Sequence, residues 1–185
     1  VGSEMCIRDR YWYDGVKKAV QYRYEVIKVK GEKDFIDTIG YTHHGPIVYD
    51  NRFQTNQHTA DLALTWTAHI PSNELKTFYG LNRAHSIKDY YKAIQHFVCP
   101  GQNFIFASAS GDIAIKQQGL FPYSKDAMDR FVLEGRLSQN DMRFFVPVEH
   151  NPTVLNPSQG FVFSANQHPT DPFYPYAYSG GEFEY

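Results

Sequence analysis

Cysteine is scarce: the 185 residues hold two, Cys6 and Cys99. That excludes a disulfide-stapled scaffold, and it leaves the redox compartment unread. A basic excess is missing as well, since eighteen Lys+Arg face twenty Asp+Glu for a net charge of −2. Without surplus cations to neutralise a phosphate backbone, nucleic acid is not an expected partner. No apolar run approaches the roughly 20 residues that span a bilayer, and no charged n-region precedes an apolar stretch at the N-terminus. The expectation is a chain that neither crosses a membrane nor carries its own export signal. Internal repeats and interdomain linkers are also lacking. What the chain does have is apolar bulk: 42% hydrophobic residues, with fourteen Tyr and fourteen Phe. That suffices for one globular domain, or a large piece of a bigger one, and excludes disorder and collagen-like repeats.

The first ten residues stand apart. VGSEMCIRDR reads as the translation of GTG GGC TCG GAG ATG TGT ATA AGA GAC AG, which looks like a transposase-type sequencing adapter; the final AG permits only Ser or Arg, and Arg10 fits. Residues 1–10 are therefore expected to be an artefact, with the natural chain starting at Tyr11 inside a longer gene. The segment carries two acids and two bases, so setting it aside leaves the net charge unchanged and removes Cys6. One thiol, Cys99, remains.

Along residues 11–185 the dominant pattern is β. Residues 21–30 (QYRYEVIKVK) alternate Tyr22, Tyr24 and Val26, then shift phase to Ile27 and Val29, which predicts a strand with a bulge. Residues 35–41 and 47–53 predict further strands, separated by Thr42-His43-His44-Gly45-Pro46, and residues 63–67 another short one. The middle changes period. Ser86 can cap a helix whose third residue is Asp89, and Ile87, Tyr90, Tyr91, Ile94, Phe97 and Val98 recur at helical spacing until Pro100-Gly101. Residues 103–109 and 113–116 around Ser110-Gly111-Asp112 predict a β-hairpin. Residues 122–157 read as loop, and residues 160–166 (GFVFSAN) as a buried strand closing on Asn166.

Four motifs, in order, resemble one family: Thr42-His43-His44-Gly45-Pro46-Ile47; Ala63-Leu64-Thr65-Trp66-Thr67; Gln102-Asn103-Phe104 through Gly111-Asp112-Ile113 to Gly119-Leu120-Phe121-Pro122; and Asn156-Pro157-Ser158-Gln159-Gly160-Phe161 with Ser164-Ala165-Asn166. Each alone is weak. Together, over more than a hundred residues, they resemble the penicillin acylase (penicillin amidase) branch of the N-terminal-nucleophile hydrolases. The resemblance implies an α+β, β-rich fold, part of a four-layer αββα sandwich, with residues 11–185 an internal fragment of the β chain. It implies an amide hydrolase, an N-acyl amide or β-lactam side-chain acylase, whose precursor cuts itself to expose a Ser, or sometimes Thr or Cys, as nucleophile. That nucleophile is expected outside this chain, so the piece alone is expected to be inactive. Partners implied are a small-molecule N-acyl amide and the missing α chain and remainder of the β chain; the location implied is periplasmic or secreted.

The same resemblance assigns Asn166 as a donor of the oxyanion hole and places Gln102 at the substrate's acyl side, where well-known members carry an apolar residue. Asn166 could otherwise serve as an ordinary turn cap before Pro169. No cofactor is expected to be required. Some members carry a structural calcium, but Ala177 stands where their late Asp ligand would fall, so calcium is unsupported. His43 and His44 have the look of paired ligands, yet adjacent residues on an extended chain point to opposite faces, which favours a packing or hydrogen-bonding role beside Gly45-Pro46. No HExxH or comparable ligand spacing occurs, and no metal is expected. The competing reading is a non-catalytic, aromatic-rich β module of the carbohydrate-binding type; against it, Phe104, Phe106, Phe161 and Phe163 alternate as core positions do.

Overall fold

The computed structural model describes residues 9–49, 61–123, 132–165, 167–171 and 173–176. The chain folds as two compact units, Val1–Trp66 with Leu133–Asp141, and Thr67–Val132 with Met142–Tyr185. Among the described residues the architecture is mixed and strand-rich, with antiparallel sheets and two α-helices.

The first unit opens with a hairpin, β1 (Arg10–Tyr13) and β2 (Val16–Ala19). Its two-residue turn is Asp14-Gly15, both at positive φ (46° and 76°), the conformation that an Asp-Gly pair adopts most readily. A four-stranded antiparallel sheet follows in the order β3 (Gln21–Ile27), β4 (Phe35–Thr42), β5 (Gly45–Tyr49), β6 (Leu62–Ala63). The bulge expected in β3 is not there: its register runs without a break from Gln21↔Tyr41 to Ile27↔Phe35. Tyr24, Val26 and Ile27 are all exposed, so neither face is committed to a core and adjacent apolar residues sit on opposite faces without forcing a slip. An irregularity falls instead in β5, between Ile47 and Tyr49. The expected strand 47–53 thus starts earlier, at Gly45; its residues 50–53 lie outside the described residues.

Residues 43 and 44 are not extended. Thr42 pairs with Gly45, leaving His43-His44 as the two-residue turn of a hairpin. The side chains of a tight turn need not alternate, and these two rings lie 3.8 Å apart, centroid to centroid. The opposite-face expectation is therefore corrected, because it assumed an extended backbone where the chain reverses.

The second unit packs α1 (Glu74–Leu81) and α2 (Ile87–Ile94) with a sheet in the order β7 (Gln102–Ala107), β8 (Ile113–Gln118), β9 (Thr153–Leu155). Ser86 caps α2 as expected: its Oγ accepts from the Asp89 amide (3.2 Å), while Asp89 Oδ2 accepts from the Ser86 hydroxyl (2.8 Å) and the His85 amide (3.1 Å). These hydrogen bonds, that from Ser86 foremost, hold the Asp89 carboxyl below its usual range. The helix ends at Ile94, short of the expected Val98, through three-residue turn bonds from His96 to Ala93 and from Phe97 to Ile94. That tightening turns Phe97 inward, where its ring meets Phe104 edge-on at 5.0 Å. The residue before Pro100 is in any case disfavoured in the helical region.

The core of this unit is Tyr90, Ile94 and Ala114, packed by Leu81, Ile87, Tyr91, Phe104 and Phe106. Tyr90 closes it with a hydrogen bond to the Phe104 carbonyl (2.7 Å), and burial pushes its hydroxyl far above the usual phenol value. The helices approach closely at Gly80, where an added Cβ would lie 2.8 Å from the Ala93 Cβ.

Candidate functional site

Antiparallel pairing puts cross-strand partners on one face. Phe104, Phe106 and Ala114 face the α2 core, so Asn103, paired with Gln117, and Ile105, paired with Ile115, occupy the opposite face. Val154 of β9, paired with Ile115, adds to that second face. There the second unit forms a groove of about 500 Å³, lined by Asn103, Ile115, Gln117 and Val154 from the sheet and by Phe163 and Gln167 from the chain that follows.

That following chain is the stretch expected to be a buried strand, and the structure corrects the expectation. Residues 160–165 take no strand conformation, and Phe161 and Phe163 are 55% and 52% exposed. The physical reason is local competition for the backbone. Gln159 Nε2 donates to the Phe161 carbonyl (2.9 Å), Gln167 Nε2 to the Phe163 carbonyl (3.4 Å), and Gln167 Oε1 accepts from the Ala165 amide (2.6 Å). Side-chain amides thus satisfy groups that a neighbouring strand would otherwise take. A cross-link from Asn103 Nδ2 to the Ser164 hydroxyl (2.8 Å) ties the segment to β7.

Upstream, the motif Asn156-Pro157-Ser158-Gln159-Gly160 is turn machinery. Asn156 holds φ +46° while its Oδ1 accepts from the Ile113 amide (2.8 Å) and its Nδ2 donates to Asp112 Oδ1 (3.0 Å). Gly160, at φ +76°, closes the turn with a bond to the Pro157 carbonyl (2.9 Å). An Asn that tolerates the left-handed region and caps a strand start is the reason for this residue type at this place. From this turn the chain runs on to Phe163 in the groove wall.

Asn166 itself lies outside the described residues, as does Ala177. Gln102 begins β7, exposed, on the face it shares with Phe104 and with its partner Gln118; the groove is lined by its neighbour Asn103. Asn103 belongs to one of the four motifs, whereas Gln117 and Gln167 carry no motif and escape a reading of the sequence. A signal exists for Gln117: one residue beyond the hairpin 103–116, it continues the alternation of Ile113 and Ile115 and so shares their face. Chemically the groove combines neutral amides and apolar side chains. Among the described residues its lining includes no lysine or arginine, and His168 and Asp171 are its titratable side chains besides Tyr174, so it suits a partly apolar ligand better than a phosphate.

Comparison with known proteins decides the lineage. The family model described as penicillin amidase matches residues 3–185. The chain belongs to the penicillin amidase family. Among its relatives are acyl-homoserine lactone acylases QuiP from two strains of Pseudomonas fluorescens, 24% and 25% identical over 157 residues. The alignment covers 85% of this chain and 19% of each relative, so the chain spans about a fifth of their length. The thermostable penicillin G acylase from Alcaligenes faecalis superposes with a TM-score of 0.67 at 21% identity, covering 88% of this chain and 29% of that one. That likeness establishes a penicillin acylase fold neighbour. Members of the family are hydrolases of the acylase type, as the resemblance implied.

Proposed function

We propose that this chain is part of the β chain of an N-acyl amide acylase and supplies one of its two oxyanion donors, the side-chain amide of Asn166. The observation that carries the reading is the family match over residues 3–185, joined to a groove rich in amide and apolar side chains whose wall includes Phe163 and Gln167, the residues that bracket the Ser164-Ala165-Asn166 motif. In the finer form of this reading the complete protein is a four-layer αββα sandwich, matured by self-cleavage and exported to the periplasm. The fragment alone is inactive because the nucleophile is supplied from outside it.

The chemistry proceeds as follows. The α-amine of the N-terminal Ser, with an intrinsic pKa of about 8, is partly unprotonated near neutral pH and takes the hydroxyl proton. The hydroxyl oxygen attacks the amide carbon, and the carbonyl π pair moves onto oxygen. The Asn166 Nδ2–H and a backbone N–H stabilise that charge without reorganising. Collapse breaks the C–N bond, the leaving amine takes the proton back from the α-ammonium, and water then hydrolyses the acyl-enzyme. No step needs a cofactor. The groove's amide and apolar lining fits an acyl chain or lactone amide; Gln102 lies on the other face of β7, so an acyl-side role for it is separate from this groove, where Asn103 is the polar contact that β7 presents.

The test is an assay of primary-amine release by the full-length protein that carries this chain, on N-acyl-homoserine lactones and on penicillin G. The reading expects free homoserine lactone or the free penicillin nucleus from the mature protein, and none from the 185-residue chain alone. Amine release by the isolated chain, or its absence from a correctly self-cleaved full-length protein across N-acyl substrates, would overturn it.

A further inference from the structure

In the first unit three side chains converge. His43 Nε2 lies 3.5 Å from Asp141 Oδ1, and His44 Nδ1 lies 3.8 Å from the same oxygen. One ligand atom from each residue falls within 4.8 Å of the other two. The sequence separates the acid from the histidines by about a hundred residues, and the two-residue turn of the β4–β5 hairpin presents both rings to it.

Each group is anchored through its other atom. His44 Nε2 sits 2.8 Å from the Gly135 carbonyl. A carbonyl can only accept, so Nε2 carries the proton, and in the neutral ring Nδ1 is a bare lone pair aimed at the carboxylate. His43 Nδ1 lies 3.0 Å from the Tyr11 hydroxyl, which also accepts from the His43 amide (3.1 Å). A phenol both donates and accepts, so it can hold His43 with Nδ1 protonated and Nε2 free to ligate. Asp141 Oδ2 accepts from the Tyr13 hydroxyl at 2.5 Å, which turns Oδ1 toward the two rings. Such outer partners on the far atoms are how ligating His and carboxylate groups are oriented.

The His44–Asp141 spacing fits an ion better than a proton. At 3.8 Å the His44–Asp141 pair is too long for an N–H···O bond. A tetrahedral centre with bonds of about 2.0–2.2 Å sets its ligands about 3.3–3.6 Å apart; the two His–Asp distances, 3.5 and 3.8 Å, lie near that range, and all three atoms fall within 4.8 Å of one another. Two imidazole nitrogens and one carboxylate oxygen, with a fourth position open, match the preference of Zn²⁺ more than that of the oxygen-seeking Ca²⁺ or Mg²⁺. The His44 and Asp141 side chains are partly shielded, at 16% exposure each, and that of His43 is more open, at 27%.

We infer that His43 Nε2, His44 Nδ1 and Asp141 Oδ1 form a Zn²⁺-class divalent metal site that clips the β4–β5 turn to the 133–141 segment. The site is independent of the hydrolytic reading, because none of its residues enters the groove chemistry. Titration of Zn²⁺ into the metal-stripped full-length protein by calorimetry tests it. One site per chain is expected, weakened at least about tenfold in each of His43→Gln, His44→Gln and Asp141→Asn, and unchanged in His150→Gln. Anomalous diffraction from zinc-soaked wild-type crystals guards against a variant that merely misfolds: a peak bonded to all three atoms is expected. Absence of that peak, or variants that bind as tightly as wild type, would overturn the site.

Discussion

Replacing Asn166 with Ala in the full-length protein that carries this chain is expected to lower kcat by roughly 10²–10³, equivalent to about 3–4 kcal/mol of barrier, as for other single oxyanion donors. KM should change little. The negative oxygen exists only in the transition state, so a donor aimed at it does not hold the planar ground-state amide equally well. Asn166→Asp should fall at least as far, since it puts a second negative charge where one is developing. The measurement is steady-state amine release together with the acylation burst: the burst rate should drop with kcat. A variant with kcat within threefold of wild type would remove Asn166 from the machinery while leaving family membership intact.

The second large effect concerns stability. Ile94→Ala is expected to destabilise the second unit by about 2–5 kcal/mol, the range for large-to-small changes at sealed core sites. Ile94 is 0% exposed, on the face of α2 that carries Tyr90 and meets Ala114, and its removal leaves a void that the Phe104 and Phe106 rings cannot fill without leaving their own positions. Against a typical total of about 5–15 kcal/mol, that is a large share. Leu75→Ala serves as the contrast. Leu75 is 80% exposed on α1, so its loss should stay within about 0.5 kcal/mol. Urea unfolding of both variants checks the pair; equal midpoints would place the core elsewhere.

The contrast between the two helices shows what a sequence makes legible. In α2 the buried residues Tyr90, Ala93 and Ile94 fall on one stripe behind a Ser-x-x-Asp cap, so periodicity and capping agree. In α1 the residue that goes inside is Thr77, with Gly80 making the close approach, while Leu75 and Tyr79 face outward. Its apolar pattern points the wrong way, and no helical period marks it. The hairpin 103–116 is legible because its alternation and its Gly-containing turn are local properties. The β1–β2 hairpin has an equally local sign in Asp14-Gly15, but its first strand begins inside the adapter-like decapeptide, where no strand is sought.

The stretch 160–165 illustrates the limit of periodicity. Phe161 and Phe163 alternate as strand residues do, and what alternation does not reveal is that Gln159 and Gln167 bond to the backbone first. Asn166 stands out only in the company of four motifs, since no feature of its immediate neighbours separates a donor from a turn cap. The histidine pair fails in the opposite direction. A rule for extended chain does not hold for two residues that turn, and their acidic partner lies too far along the sequence for any spacing argument to find.

The proposal stands or falls on where one carboxamide sits while an amide is being cleaved. The most direct measurement is a crystal structure of the full-length protein bound covalently to a boronic-acid analogue of its substrate, in which a tetrahedral oxygen occupies the oxyanion position. The Asn166 Nδ2 is expected at about 2.7–3.1 Å from that oxygen. An Asn166 side chain turned away from the adduct, with other groups donating to the oxygen, would contradict it.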